Sequence, residues 1–108
     1  MLFEKMAEAN KNKDVDAFMD LVHEDFVMVS HQSGTEKNRE EFHEMAKMMY
    51  ASDKLKRENE RCLYENDDIL VEHVVMEFPD DTKEAVMAVW TKKGGKLVKV
   101  ESGATPLK

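Results

Sequence analysis

Cysteine is nearly absent from this chain. Cys62 stands alone among 108 residues, so no intrachain disulfide can form and a reducing compartment fits. It has neither CxxC spacing nor a histidine close by in sequence, which leaves an inert, buried thiol as the expectation. Long hydrophobic runs are absent too. No segment approaches the length of a membrane span, and Glu4, Lys5 and Glu8 break the uninterrupted apolar stretch that a signal peptide needs. Positive charge is the minority sign, with 16 Lys and Arg against 23 Asp and Glu and a net charge of −7. Nucleic-acid phosphates and acidic membranes reward clustered Lys and Arg, so neither is expected as a partner. There is no glycine-rich phosphate loop, and the 4 histidines show no HxH or HxxxH spacing. No metal and no cofactor are therefore expected. These absences leave a cytoplasmic protein with a single domain over residues 1–108 as the expectation.

What is present is a globular composition, 42% apolar, with a heavily charged surface, 36% of residues being Asp, Glu, Lys or Arg. A chain this short buries a modest core, and dimerisation is a natural supplement. Leu2, Phe3, Met6 and Asn10 recur at helical spacing and predict a short first helix. Asp14 is a good N-cap, because its carboxylate can accept from amides of the first turn. Val15, Phe18, Met19 and Val22 then trace the buried face of a second helix. A turn is expected over Val22–Asp25. The run Phe26–Val29 is too short for a helix and reads as a buried strand ending at Ser30 and His31. Gln32-Ser33-Gly34 is a turn, where Gly34 can take a positive φ. Asn38 followed by Glu41 resembles a capping box, and Phe42, Met45, Ala46 and Met49 form the apolar stripe of a helix that runs to Tyr50.

The remainder reads as strands. Leu55–Tyr64 is polar early and apolar late, so its first half is expected to sit exposed at an edge. Ile69–Phe78 follows the turn Glu65-Asn66-Asp67-Asp68, and Glu84–Lys92 follows Pro79-Asp80-Asp81. Glu84–Lys92 is apolar on both faces, which places it centrally. Lys93-Gly94-Gly95-Lys96 is a hairpin signal, and Leu97–Ser102 is the last strand. Long strands joined by short turns favour an antiparallel meander. A helical front and a strand-rich back make an α+β chain in which a curved sheet wraps around helices and leaves a pocket.

Two passages carry a family resemblance. They are Leu21-Val22-His23-Glu24-Asp25-Phe26-Val27-Met28-Val29 ahead of a glycine turn, and Ala88-Val89-Trp90-Thr91-Lys92-Lys93-Gly94-Gly95-Lys96-Leu97-Val98. With the element order, they resemble the SnoaL-like branch of the nuclear-transport-factor-2-like superfamily over nearly the whole chain. The resemblance implies the cystatin-like, ketosteroid-isomerase-like fold, a cone-shaped curved antiparallel sheet around N-terminal helices. It also implies a small-ligand pocket and a homodimer formed through the outer face of the sheet. Isomerases, cyclases, dehydratases, hydrolases and non-catalytic modules share this fold, so fold alone does not choose among them. The isomerases need a carboxylate base near the end of the first strand and an oxyanion hole of Tyr and protonated Asp. Here Ser30-His31 ends that strand, no Tyr lies in the first two helices, and Ala85–Val89 is wholly apolar. The hydrolases need an Asp-Arg-Asp set, and no Arg interrupts an apolar strand here. Dehydratase-like members use pocket histidines, an option open through His31 and His73.

His73 sits amid Ile69, Leu70, Val71, Val74 and Val75, and shares its strand face with Glu77. If that face lines the pocket, its imidazole can move protons near neutral pH; otherwise it belongs to the outer face or a dimer interface. His31 and Ser30 supply either a base and a hydrogen-bond donor at the pocket or ordinary turn residues, and only one of the two should point inward. Trp90 is a stacking wall or core packing. Tyr50 and Tyr64 each offer a hydroxyl to orient a ligand. Met28, Met45, Met48 and Met49 form an adaptable apolar wall or simply fill the core. The expected function is binding of a small apolar molecule. Isomerase, cyclase or dehydratase chemistry would use His31 or His73 as acid-base and Ser30 or Tyr50 to orient the ligand. The alternative is a non-catalytic dimerisation or protein-interaction module with a filled core. An open cavity reaching Ser30 or His31 separates the two.

Overall fold

The computed structural model describes residues 1–108 in the order α1 (Leu2–Asn12), α2 (Val15–Met19), β1 (Val22–Ser30), β2 (Thr35–Asn38), α3 (Arg39–Ala51), β3 (Lys56–Glu65), β4 (Ile69–Glu77), β5 (Lys83–Lys93) and β6 (Lys96–Leu107). Caps set the helix starts. Asp14 Oδ1 accepts from the Ala17 amide at 3.1 Å. Asn38 Oδ1 accepts from the Glu41 amide at 2.9 Å while Glu41 Oε1 accepts from the Asn38 amide at 3.0 Å, completing the capping box. α1 has no cap from its own sequence. Glu65, at the end of β3, supplies one: it accepts from the Leu2 amide at 2.7 Å and the Phe3 amide at 3.3 Å. A carboxylate there also complements the positive end of the helix.

The strands form one sheet in the order β2-β1-β6-β5-β4-β3. β3 to β6 are the antiparallel meander that the sequence suggests, and Gly94 and Gly95 turn the β5–β6 hairpin with φ of 58° and 78°. β1 joins β6 in parallel. Local turn signals do not announce this pairing, because it unites the two ends of the chain. The segment Val22–Asp25, expected as a turn, is the start of β1. Val22 pairs with Leu97, and the register shifts before Val27, so Val22 is buried as a strand residue and not as part of a helix. β2, which the sequence does not signal, is short and polar. It folds back on β1 across Gly34, whose φ is 68°. β6 runs beyond Ser102 through Pro106. β1 stops at Ser30 opposite Ser102, so the far part of β6 is free on one side, where proline is tolerated.

The helices pack on one face of this curved, unclosed sheet. The alternation of β4 and β5 decides which residues face them. Leu70, Glu72, Val74 and Met76 are buried, as are Ala88 and Trp90, whereas Met87 and Val89 are 48% and 37% exposed. The core joins Met6 and Ala9 of α1, Phe18 of α2, Phe42 of α3 and Phe26 of β1 to Leu70, Trp90 and Val100. Its centre is aromatic, with ring centroids 4.8 Å apart for Phe26 and Phe42 and 5.9 Å for Phe18 and Trp90. Each fully buried large side chain is worth about 1.5–3 kcal/mol, and aromatic pairs add about 0.5–1.5 kcal/mol. This cluster closes one end of the space between sheet and helices and leaves the other end open.

Candidate functional site

The open end is a cavity of about 300 Å³, walled by α1 and α3 on one side and by the inner face of the sheet on the other. Of its 23 lining residues 16 are hydrophobic, so the few polar side chains decide what can be oriented inside. Four of these, Asn10, Tyr50, Arg57 and Glu72, gather at one place. Glu72, on β4, is 3% exposed. Its Oε1 accepts from Trp90 Nε1 at 3.1 Å and lies 4.0 Å from Arg57 Nη2. Its Oε2 is buried with no hydrogen-bond partner. Burial pushes the Glu72 carboxyl above the ordinary carboxylate range; the Arg57 charge and the Trp90 hydrogen bond oppose the rise without cancelling it, and Glu60 adds to it.

Arg57 reaches the site because it pairs with Met76 of the inner face, and a bulge in β3 turns Glu60 the same way. The β3–β4 register shifts between Glu58 and Arg61, where Asn59 takes a φ of 53°. The bulge brings Arg57 and Glu60 to the same side, which strict alternation would forbid, and Arg57 Nη2 meets Glu60 Oε1 at 3.4 Å. Glu60 Oε1 also accepts from Asn10 Nδ2 at 3.1 Å, and Asn10 Oδ1 accepts from the Tyr50 hydroxyl. A polar chain thus runs from Tyr50 through Asn10, Glu60 and Arg57 to Glu72, tying α3, α1, β3 and β4 together. Burial is the chief reason the Tyr50 phenol is pushed up to about 12, so it stays protonated and donates.

Ser30, Met28, Met49, Tyr50 and Trp90 all line the cavity. His31 and His73 do not. Met28 and Ser30 point inward on β1, so alternation turns His31 out: its side chain is 63% exposed and its Nε2 lies 3.3 Å from Glu101 Oε2. His73 stands on the outer face of β4, opposite Met87 and Arg61. Met45 also lines the cavity, while Met48 is 75% exposed. Cys62, expected to be buried, is exposed on the edge strand.

Glu72 and Arg57 are the residues that sequence reasoning passes over. β4 carries polar residues among apolar ones on both faces, Glu72 on one and His73 and Glu77 on the other, so period two alone cannot say which is interior. The first half of β3, expected to be exposed, instead holds the partly buried Arg57 and Glu60, with side chains 25% and 18% exposed. Their signal was the i, i+3 Arg–Glu spacing around Asn59, a residue suited to a bulge. No group of three His, Cys, Asp or Glu side chains is placed to hold a metal ion, and no helix is long and apolar enough to cross a membrane.

Solved structures share this architecture at low sequence identity. A nuclear-transport-factor-2-like protein of unknown function from Burkholderia xenovorans is 15% identical, with a TM-score of 0.80 over 97% of this chain and 80% of that one. A candidate ketosteroid isomerase from Kribbella flavida is 15% identical, with a TM-score of 0.82 over 99% and 77%. A candidate polyketide cyclase from Streptomyces antibioticus is 14% identical, with a TM-score of 0.73 over 94% and 87%. No curated protein matches the chain. The sequence profile of the SnoaL-like domain matches residues 3–100, and the chain belongs to that family.

Proposed function

We propose that the cavity binds a small, largely apolar molecule and that Glu72 exchanges a proton with it, in a cofactor-independent isomerase, cyclase or dehydratase reaction. One observation carries this reading: Glu72 Oε2 is buried, without a partner, on the wall of an apolar cavity. An unsatisfied buried oxygen costs about 1–3 kcal/mol, and a ligand that hydrogen-bonds to it recovers that cost. A carboxyl whose proton affinity is raised by burial also gives and takes protons closer to neutral pH, where general acid-base catalysis is most effective. Arg57, 4.0 Å from Glu72 Oε1, supplies positive charge for negative charge developing on a ligand oxygen. Tyr50 and Ser30 are the orienting groups, and Met28, Met49 and Trp90 form the apolar wall. The role first sought in His31 or His73 passes to Glu72. The names of the isomerase-like and cyclase-like relatives agree with proton-transfer chemistry.

The filled-core alternative loses support from the cavity itself, although pairing of two subunits is compatible with either reading. The outer face of the sheet is the surface proposed for a homodimer, because Met87 and Val89 are exposed there.

The test is exchange of deuterium into the carbon positions next to the carbonyl of small apolar ketones, followed by NMR with wild type and Glu72→Gln. Protein-dependent exchange lost in the variant is expected. Exchange that is absent, or unchanged by the substitution, would rule out Glu72 as the proton carrier.

A further inference from the structure

The sheet register places three polar side chains of the inner face, Glu72, Ser102 and Ser30, in one transverse row. Glu72 pairs with Ala88, Ala88 with Ser102, and Ser102 with Ser30, each on the next strand over. All four line the cavity. The adjacent rows are apolar: Leu70, Trp90, Val100 and Met28 toward the closed end, and Val74, Val86 and Ala104 toward the open end. Strands lie about 4.8 Å apart, so Ser102 stands roughly 10 Å from Glu72 along the sheet and Ser30 roughly 14 Å. The acid and the hydroxyls are too far apart to satisfy one another. Ala88 between them presents only a methyl group, leaving a floor over which a ligand can lie.

We propose that the ligand is two-ended: an elongated apolar body with one oxygen function at Glu72 and a second, uncharged hydrogen-bonding oxygen roughly 10–14 Å along it, at Ser102 and Ser30. This deepens, and rests on, the reading that the cavity takes a ligand against Glu72. Hydroxyls donate and accept but carry no charge. Glu84 lines the cavity near that end and holds Gln32 Nε2 at 3.5 Å, which disfavours an anion there. Size narrows the class further. A cavity of about 300 Å³ stands at the small end of ligand pockets, and the spacing of the row favours a ligand extended along it.

Nonan-2-one and 9-hydroxynonan-2-one are matched probes, since both offer a carbonyl to Glu72 and only the second has an oxygen at the far end. Calorimetric titration of wild type is expected to give roughly five- to tenfold tighter binding for the hydroxyketone. Ser30→Ala/Ser102→Ala should abolish that gain, so that the variant binds the two ketones with equal affinity. The comparison on wild type needs no variant to fold. Equal affinity of wild type for the two ketones overturns the two-ended ligand while leaving the cavity reading in place. A hydroxyl gain that survives the double substitution also overturns it. Failure of both ketones to bind overturns the proposal together with the reading beneath it.

Discussion

Trp90 donates its indole N–H to Glu72 Oε1 at 3.1 Å from the neighbouring strand, while Glu72 Oε2 is left without a partner. Trp90 therefore does more than fill the core. It holds one carboxyl oxygen and so determines which one is left unpartnered.

The first prediction concerns pH. Unfolding stability changes with pH in proportion to the protons bound by the unfolded state minus those bound by the native state. Glu72 holds its proton more tightly when folded, chiefly through burial, so the native state binds more protons between the unfolded and folded pKa values. Its contribution to stability is full below the unfolded value, about 4.3, and is lost as pH rises through the folded one. Gln at this position keeps an acceptor for Trp90 and does not titrate. Urea unfolding should show wild-type stability minus Glu72→Gln stability falling as pH rises from the unfolded value, about 4.3, through the raised folded one. A constant or rising difference would contradict the raised proton affinity.

The second concerns Tyr50. Its phenol is pushed up to about 12, mainly by burial. Tyr50 and Tyr64 are the 2 tyrosines, so Tyr64→Phe isolates the signal. Ultraviolet absorbance of that variant should show the single phenol ionising near 12. Ionisation in the ordinary range near 10 would mean that Tyr50 is solvated and not part of the polar chain. Tyr50→Phe should cost about 0.5–1.5 kcal/mol by urea unfolding, because Asn10 Oδ1 loses its donor.

The third concerns an anchor far from the cavity. Lys92 Nζ lies 2.7 Å from Glu65 Oε2, with side chains 4% and 7% exposed, and Glu65 also caps α1. Removing one partner of a buried pair leaves an uncompensated charge, so Glu65→Ala should cost about 3–5 kcal/mol in urea unfolding. Adding Lys92→Met removes the stranded ammonium and should recover much of the loss. No recovery would assign the effect to the cap alone. Burial raises the Glu65 pKa, but the Lys92 hydrogen bond and the Leu2 and Phe3 amides outweigh it and leave the value lowered. The pair's contribution is therefore present above the ordinary carboxylate range and fades as pH falls through the lowered value.

Legibility in the sequence followed the range of the interactions. The Asn38–Glu41 box, the Asp14 cap and the Gly94-Gly95 hairpin are local and were readable, as was the central place of β5, apolar on both faces. The parallel β1–β6 pair and the capping of α1 by Glu65 join distant parts of the chain and have no local signature. The site divides in the same way. Met28, Met49, Tyr50 and Trp90 follow from apolar patterning and element ends. His31 attracts notice as an unusual residue at a strand end, yet alternation turns it outward. Glu72 looks like one more surface glutamate until Trp90, Arg57 and the inner face of β4 surround it.

The last prediction addresses the outer face. Met87 and Val89 are 48% and 37% exposed, and their cross-strand neighbours His73 and Val71 extend the same surface. A stable interface buries about 800 Å² per partner, and the apolar centre of this face, Val71, Val75, Ala85, Met87 and Val89, is suited to supply part of it. Val89 faces Glu101 on β6, so lysine at this position gains an opposite charge across the strands within one subunit while placing a charge in any sheet-to-sheet interface. Val89→Lys should therefore keep its fold by circular dichroism and become monomeric. Light scattering at micromolar concentration checks both states. A monomeric wild type, or a dimer that survives this substitution, would remove the outer face as the pairing surface.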